Sequence, residues 1–143
     1  MAEKNQLRVR LVTPDRVLVD QEADSVEVPS RSGYLEVLYG HAPLLAELAP
    51  GEVSIVAGAR QEGQRFNVAR GFVEVLPERV TILAESALKP QEIDQATARQ
   101  ELDRGQKLWN EAGDDAEKYA RANEIIREAE SRLSSAGGSG EEH

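Results

Sequence analysis

His41 and His143 are the only imidazoles in the chain, and there is no cysteine. A metal centre needs several His, Cys or carboxylate ligands that converge and are themselves held by hydrogen bonds. His41 stands alone between Gly40 and Ala42, so it reads as a structural or interface histidine. Nucleophilic chemistry has no better support. There is no Gly-x-Ser-x-Gly elbow, and no serine lies in a context that would activate it. Carboxylates are plentiful, for example Asp114 and Asp115, but they sit in a charged segment. Acid–base work needs a pocket that shifts a pKa, so these acids read as a solvated face or a helix cap. The glycine-rich run Gly137-Gly138-Ser139-Gly140 precedes no helix and cannot cradle a phosphate as a P-loop does. The expectation is a non-catalytic protein with no metal and no cofactor, built to dock onto other proteins.

Composition narrows the partners. The net charge is -9 and the pI about 4.8. Nucleic acid and anionic membrane surfaces both demand dense basic patches, so neither is the expected main partner. No apolar run approaches the ~18 residues that span a bilayer, and the first residues, Met1 to Gln6, are polar rather than signal-like. A cytosolic protein is expected, held at a membrane only through another subunit. Aromatic residues make up 4% of the chain against 40% hydrophobic residues overall, so any core must be aliphatic.

The elements that would position a docking surface divide near residue 90. All 13 valines precede Pro90, and no proline follows it. Valine suits pleated strands and proline marks turns and edges. Leu7, Val9 and Leu11 alternate with Arg8 and Arg10, and similar short runs recur up to Val80–Leu83. Pro14-Asp15, Ser30 to Gly33, Pro50-Gly51, Gly58 to Gly63 and Pro77-Glu78 punctuate them. Eight to ten short strands so spaced predict a β-sandwich or barrel over residues 1–87.

After Pro90 the apolar period becomes helical. Pro90 suits a first helical position, with Glu92 and Asp94 in the first turn. Ala98, Leu102, Gly105 and Trp109 recur at helical spacing, Gly113 ends the helix, and Asp114 with Glu117 resembles a capping box opening a second one. Tyr119, Ala122, Ile126, Ala129 and Leu133 then form one stripe. The expectation is an α+β protein: an N-terminal β-sandwich followed by a C-terminal antiparallel two-helix hairpin over 88–135, with a disordered tail over 136–143. Beyond Pro90 there are 13 acidic and seven basic residues, a net of 7 − 13 = −6. Narrow, alanine-rich stripes make such a pair weakly stable by itself, which suits a moving part.

One stretch is more specific than its composition. Ser32-Gly33-Tyr34-Leu35-Glu36-Val37-Leu38-Tyr39-Gly40-His41-Ala42-Pro43-Leu44-Leu45 closely resembles the Gly-Glu-Leu-Gly-Ile-x-x-Gly-His-Ala-Pro-Leu signature of the ε subunit of F-type ATP synthases. Gly71-Phe72-Val73-Glu74-Val75 and Val80-Thr81-Ile82-Leu83-Ala84-Glu85 are similar to that family's Gly-Gly-Phe-Leu-Glu-Val…Val-Thr-Ile-Leu-Ala block, and Val12-Thr13-Pro14-Asp15 to its opening strand and turn. The likeness runs from about Leu7 to Leu133.

The resemblance implies a rotor subunit of the central stalk, coupling proton transport to ATP synthesis without catalysing it. The sandwich would bind the γ subunit and rest on the c ring, with Ser32, Gly33, Tyr34, His41, Ala42, Pro43 and Leu44 forming that interface. Tyr34 stands where the family often has Glu, and Glu36 where it often has Gly, so the ring contact would be less electrostatic and more aromatic. The hairpin would fold down or extend toward the catalytic β subunits, where it inhibits ATP hydrolysis. At about 100° per residue Lys118, Arg121 and Arg132 share one flank of the second helix, with Arg127 on the other. These are the candidate inhibitory contacts, and intrahelical pairing such as Glu117 with Arg121 or Glu128 with Arg132 is the plainer alternative. The implied place is the cytoplasmic face of a bacterial plasma membrane, peripheral and held through other subunits.

Some members of that family bind ATP through an Ile-Asp-x-x-Arg-Ala motif. Here the stretch reads Ile93, Asp94, Gln95, Ala96, Thr97, Ala98. Thr97 removes a guanidinium that could meet phosphate bidentately, and Glu128 stands where a further arginine is expected. ATP binding is therefore expected to be weak or absent, which counts against the rival reading of a nucleotide sensor. A second rival, a free-standing glycan- or peptide-binding module, would want an aromatic platform. The chain has six aromatics, two of them in the hairpin.

Overall fold

The computed structural model describes residues 6–58 and 63–138. The chain forms two compact units, Met1–Ala87 and Leu88–His143. The first holds ten short strands in two five-stranded sheets, with the last strand reaching Leu88. One sheet runs β2 (Val17–Ala23), β1 (Leu7–Val12), β9 (Arg79–Ala84), β8 (Gly71–Leu76), β5 (Leu44–Glu47). The other runs β10 (Ala87–Leu88), β7 (Gln64–Val68), β6 (Gly51–Val56), β3 (Ser25–Ser30), β4 (Gly33–Leu38). β1 and β9 pair in parallel, and the other registered pairs are antiparallel.

Alternation decides which side chains form the core. Leu7, Val9 and Leu11 are fully buried between the sheets while Arg8 and Arg10 face outward. Val73 and Val75, Val80 and Ile82, Val26 and Val28, and Val53 and Ile55 complete an aliphatic interior in which Phe66 is the one aromatic. A one-residue slip in any strand would exchange these faces, so burial fixes the register. β3 and β4 join through Arg31-Ser32, with Ser30 opposite Gly33. There Ser30 Oγ donates to the Gly33 carbonyl at 2.6 Å and Gly33 adopts φ +120°. Gly71 opens β8 at φ +139°, and a Cβ there would lie 1.9 Å from the Leu83 carbonyl oxygen. Only glycine fits that approach.

The second unit comprises a single 3-10 turn at Pro90–Glu92, helix α1 (Gln95–Glu111) and helix α2 (Ala116–Gly138). The α-helix thus begins after Asp94, not at Pro90. Asp94 Oδ1 accepts from the backbone N–H of Ala96 (3.1 Å) and Thr97 (3.4 Å), and Oδ2 accepts from the Thr97 hydroxyl at 3.0 Å. That makes Asp94 the N-cap. Gly113 ends α1 in the left-handed region at φ +58°. The second cap is Asp115 rather than Asp114, because its Oδ1 accepts from Glu117 and Lys118 N–H at 3.0 and 3.2 Å. α2 continues to Gly138, so residues 136–138 are helical where the sequence predicts a tail, and residues 139–143 lie outside the described residues. Most of the turn expected at Gly58 to Gly63 also lies outside them.

Candidate functional site

The residues singled out by the sequence lie on an open edge of the sandwich. β4 is the edge of one sheet and β5 the edge of the other, and the segment joining them runs from Tyr39 to Pro43. Between Arg31 and Leu45 every residue is exposed except Leu35, Val37 and His41. Ser32, Gly33, Tyr34, Ala42, Pro43 and Leu44 are each exposed along this edge, called the edge belt below, and His41 is half-buried. Unpaired edges invite association, and this one carries Leu38, Tyr39, Leu44 and Leu45 as well, with Leu45 70% exposed.

The Gly-His turn is pinned rather than loose. Gly40, at φ +93°, donates its N–H to the Pro77 carbonyl at 2.6 Å, tying the belt to the β8–β9 turn. His41 donates its N–H to the Leu38 carbonyl at 3.1 Å. Its Nδ1 lies 2.7 Å from the Ala42 carbonyl oxygen. A carbonyl only accepts, so Nδ1 carries the proton and Nε2 is the ring atom left for a partner. Among the described residues no group of three or more His, Cys, Asp or Glu could hold a metal.

Tyr34 is more than an exposed aromatic. It sits opposite Pro29 in the β3–β4 ladder, and its hydroxyl accepts the Glu52 N–H at 3.1 Å. A Cβ on Gly51 would meet that hydroxyl at 2.6 Å and Pro29 Cβ at 2.8 Å. The ring therefore reaches across β3 to β6 and clasps three strands, with one face still open to a partner.

A second surface was not anticipated. On the outer face of the first sheet the registers align Val17 with Val12, Val12 with Leu83, and Leu83 with Phe72. This places an apolar row across four strands. Val17, Leu83 and Phe72 are 47%, 51% and 53% exposed. A groove of about 300 Å³ lined by Val12, Thr13, Pro14, Leu83, Ala84 and Glu85 runs along it. The adjacent row is polar: Asp20, Arg10, Thr81 and Glu74, ending at Leu45 on β5. Leu45 thus belongs both to this face and to the edge belt, making the two surfaces continuous. The signal was in the alternation, since Phe72 occupies an outward position beside buried Val73, where a polar residue is the rule.

In the second unit Lys118, Arg121 and Arg127 are exposed and Arg132 is half-buried. In the degenerate nucleotide motif Ile93 and Ala98 are buried, and Asp94 is committed to capping with Thr97. The Thr97 hydroxyl and then the Thr97 N–H stabilise the ionised carboxylate and, with a lesser part from the Ala96 N–H, hold its pKa below the ordinary 3.8 against an opposing desolvation. Trp109 packs edge-on against Tyr119 with ring centroids 4.8 Å apart. Among the described residues no helix is long and apolar enough to cross a membrane.

Residues 6–90 match the family described as ATP synthase, delta/epsilon chain, β-sandwich domain. The chain is 38% identical over 134 residues to the ATP synthase epsilon chain of Gloeothece citriformis, covering 92% of this chain and 96% of that one. It is 40% identical over 131 residues to the epsilon chain of Moorella thermoacetica, with the same two coverages. Among solved structures it superposes on a chain of the Euglena gracilis mitochondrial ATP synthase with a TM-score of 0.76 at 19% identity, covering 92% of this chain and 81% of that one. A chain of the Tetrahymena thermophila mitochondrial ATP synthase central stalk and c-ring gives 0.53 at 18%, covering 64% and 72%. At those identities the structural likeness concerns the fold.

Proposed function

The chain belongs to the ATP synthase epsilon chain family, and on that premise we propose that it docks in the central stalk by its sandwich and restrains hydrolysis by its hairpin. It is a non-catalytic subunit of the F-type ATP synthase, so its work is mechanical: binding, coupling and regulation. The observation that carries the docking reading is the apolar row Val17, Val12, Leu83, Phe72, left half-exposed on the outer sheet face. Contiguous apolar surface of this kind is costly to leave in water and marks a partner's footprint. The γ subunit is the partner assigned to it. The edge belt, with Tyr34, His41, Ala42, Pro43 and Leu44, is assigned to the polar loops of the c ring. Clasping by Tyr34 and pinning of Gly40 let this belt transmit torque without rearranging.

The hairpin carries Lys118, Arg121, Arg127 and Arg132 toward acidic segments of the catalytic β subunits in its extended form. ATP itself binds weakly or not at all, since Thr97 offers no cation and its hydroxyl already serves Asp94. Other subunits hold the chain at the cytoplasmic face of a bacterial plasma membrane.

The test is titration of a γ-containing catalytic head stripped of its own ε, following ATP hydrolysis, with the full chain and with one ending at Leu88. All the buried residues of the sandwich core lie between Leu7 and Ala84, so the shorter chain retains them. Both should bind one to one and only the full chain should slow hydrolysis. Failure of both to bind would refute the docking assignment, and binding of both without inhibition would refute the hairpin's role.

A further inference from the structure

Gly105 lies in the interior of α1, where glycine is among the least favourable residues. Its φ lies outside the left-handed region that justifies Gly33, Gly40, Gly71 and Gly113, so backbone conformation does not explain it. Space does. A Cβ at this position would lie 2.8 Å from Ile126 Cγ1, 3.0 Å from Ile125 Cγ2 and 3.3 Å from the Ile126 backbone nitrogen. Gly113, by contrast, has nothing within 4 Å of such an atom.

The three neighbours cannot easily yield. Cγ1 and Cγ2 are bonded directly to the branched Cβ of isoleucine, whose χ1 is nearly fixed in a helix, and the third is main chain. Relief would require α2 to draw back from α1. Alanine at 105 therefore has opposite effects at two levels: it favours α1 as a helix, and it disfavours α1 packed on α2.

We propose that Gly105 is the latch of the hairpin, a side-chain-free notch whose close contact with Ile125 and Ile126 sets how readily the two helices part. The latch is a property of the helix pair alone. Its regulatory consequence rests on the inhibitory reading given above.

The chain supplies its own reporter, because Trp109 is the sole tryptophan, one turn beyond Gly105 and in contact with Tyr119. The experiment compares the full wild-type chain, Gly105→Ala, and Gly105→Ala with Ile126→Ala, which removes the nearest clashing atom. Acrylamide quenching of Trp109 reads helix separation and far-ultraviolet circular dichroism reads helix content. Overpacking by one methyl in a close-packed seam corresponds to about a tenfold shift toward the open pair. Gly105→Ala is expected to keep its helix content, to expose Trp109 to quencher, and to regain protection in the double variant. Unchanged or reduced quenching in Gly105→Ala overturns the latch. So does a loss of helix content that Ile126→Ala fails to restore.

Added to the ε-stripped head, Gly105→Ala should inhibit hydrolysis more strongly than wild type. If Trp109 opens as expected while inhibition is unaltered, the latch stands and helix parting is not what governs inhibition.

Discussion

Truncating Phe72 to alanine tests the docking surface proposed above. A phenylalanine side chain offers about 200 Å², and Phe72 is 53% exposed, so about 110 Å² awaits a partner. At ~25 cal/mol per Å² its burial contributes at most about 2.7 kcal/mol, close to a hundredfold in Kd. Alanine keeps the Cβ, and association never returns the full area term, so a loss of ten- to fiftyfold in affinity for the γ-containing head is expected. The other half of the ring packs across the ladder against Leu83, a pair worth about 0.2–1 kcal/mol beyond its area. The variant should thus lose about 1–2 kcal/mol of stability. A fold stable by ~5 kcal/mol or more stays over 99% folded after that loss, so weakened binding could not be blamed on unfolding. The assay pairs a binding titration with urea denaturation, and Arg79→Ala, an exposed residue two rows from the apolar row, serves as the control. Binding of Phe72→Ala within threefold of wild type would show that the apolar row is not the footprint.

Gly71→Ala forces a Cβ to 1.9 Å from the Leu83 carbonyl oxygen at φ +139°. Strain and clash together should remove roughly 3 kcal/mol or more, read as a collapse of the urea midpoint. Tyr34→Phe takes the acceptor from the Glu52 N–H and should lose about 0.5–1.5 kcal/mol in the same assay, with the belt still apolar. Asp94 is held below 3.8 by bonds to its ionised form. Its cap is therefore complete above pH 3.8 and lost as pH falls through the depressed value. Helix content followed by circular dichroism from pH 6 to 2 should show this acid fraying in wild type and less of it in Asp94→Asn, whose amide oxygen caps α1 at any pH while Asp115 still caps α2 as a carboxylate.

Much of the sandwich is legible because burial on one face forces a period of two. Nine of the ten strands announce themselves as apolar runs. The exception is β10, whose two residues Ala87 and Leu88 are too few to show alternation. Helix boundaries were less legible, because start signals overlap. Pro90, Glu92 and Asp94 each favour a first turn, and only hydrogen-bond geometry shows that Asp94 wins. The second cap likewise falls on Asp115 rather than Asp114, as only its hydrogen bonds show. The edge belt could be read from its resemblance to a signature, but the outer row could not. It is assembled from single residues on β2, β1, β9 and β8, and their alignment depends on strand order and register, including the parallel β1–β9 pair. Tyr34 shows a further gap. Its clasp on Gly51 and Glu52 joins positions 18 apart, and no local pattern encodes that.

The two units are held together by different physics, and this bears on their roles. The sandwich core buries Leu7, Leu11, Leu48, Ile55 and Ile82 together with ten valines. Each such side chain contributes about 1.5–3 kcal/mol when buried. The buried apolar residues of helices α1 and α2 are Ala98, Gly105, Ala112, Ala122 and Ala129 instead. Each offers at most one methyl, so the hairpin's cohesion depends on close approach rather than on area. Close approach is sensitive to a displacement of a few tenths of an ångström, since dispersion falls steeply with distance. A small force or a small competing contact can therefore open the helix pair while the sandwich stays intact. On the function proposed above, the reverse order, with an alanine-seamed sandwich and a leucine-rich hairpin, would make the anchor fail before the moving part moved.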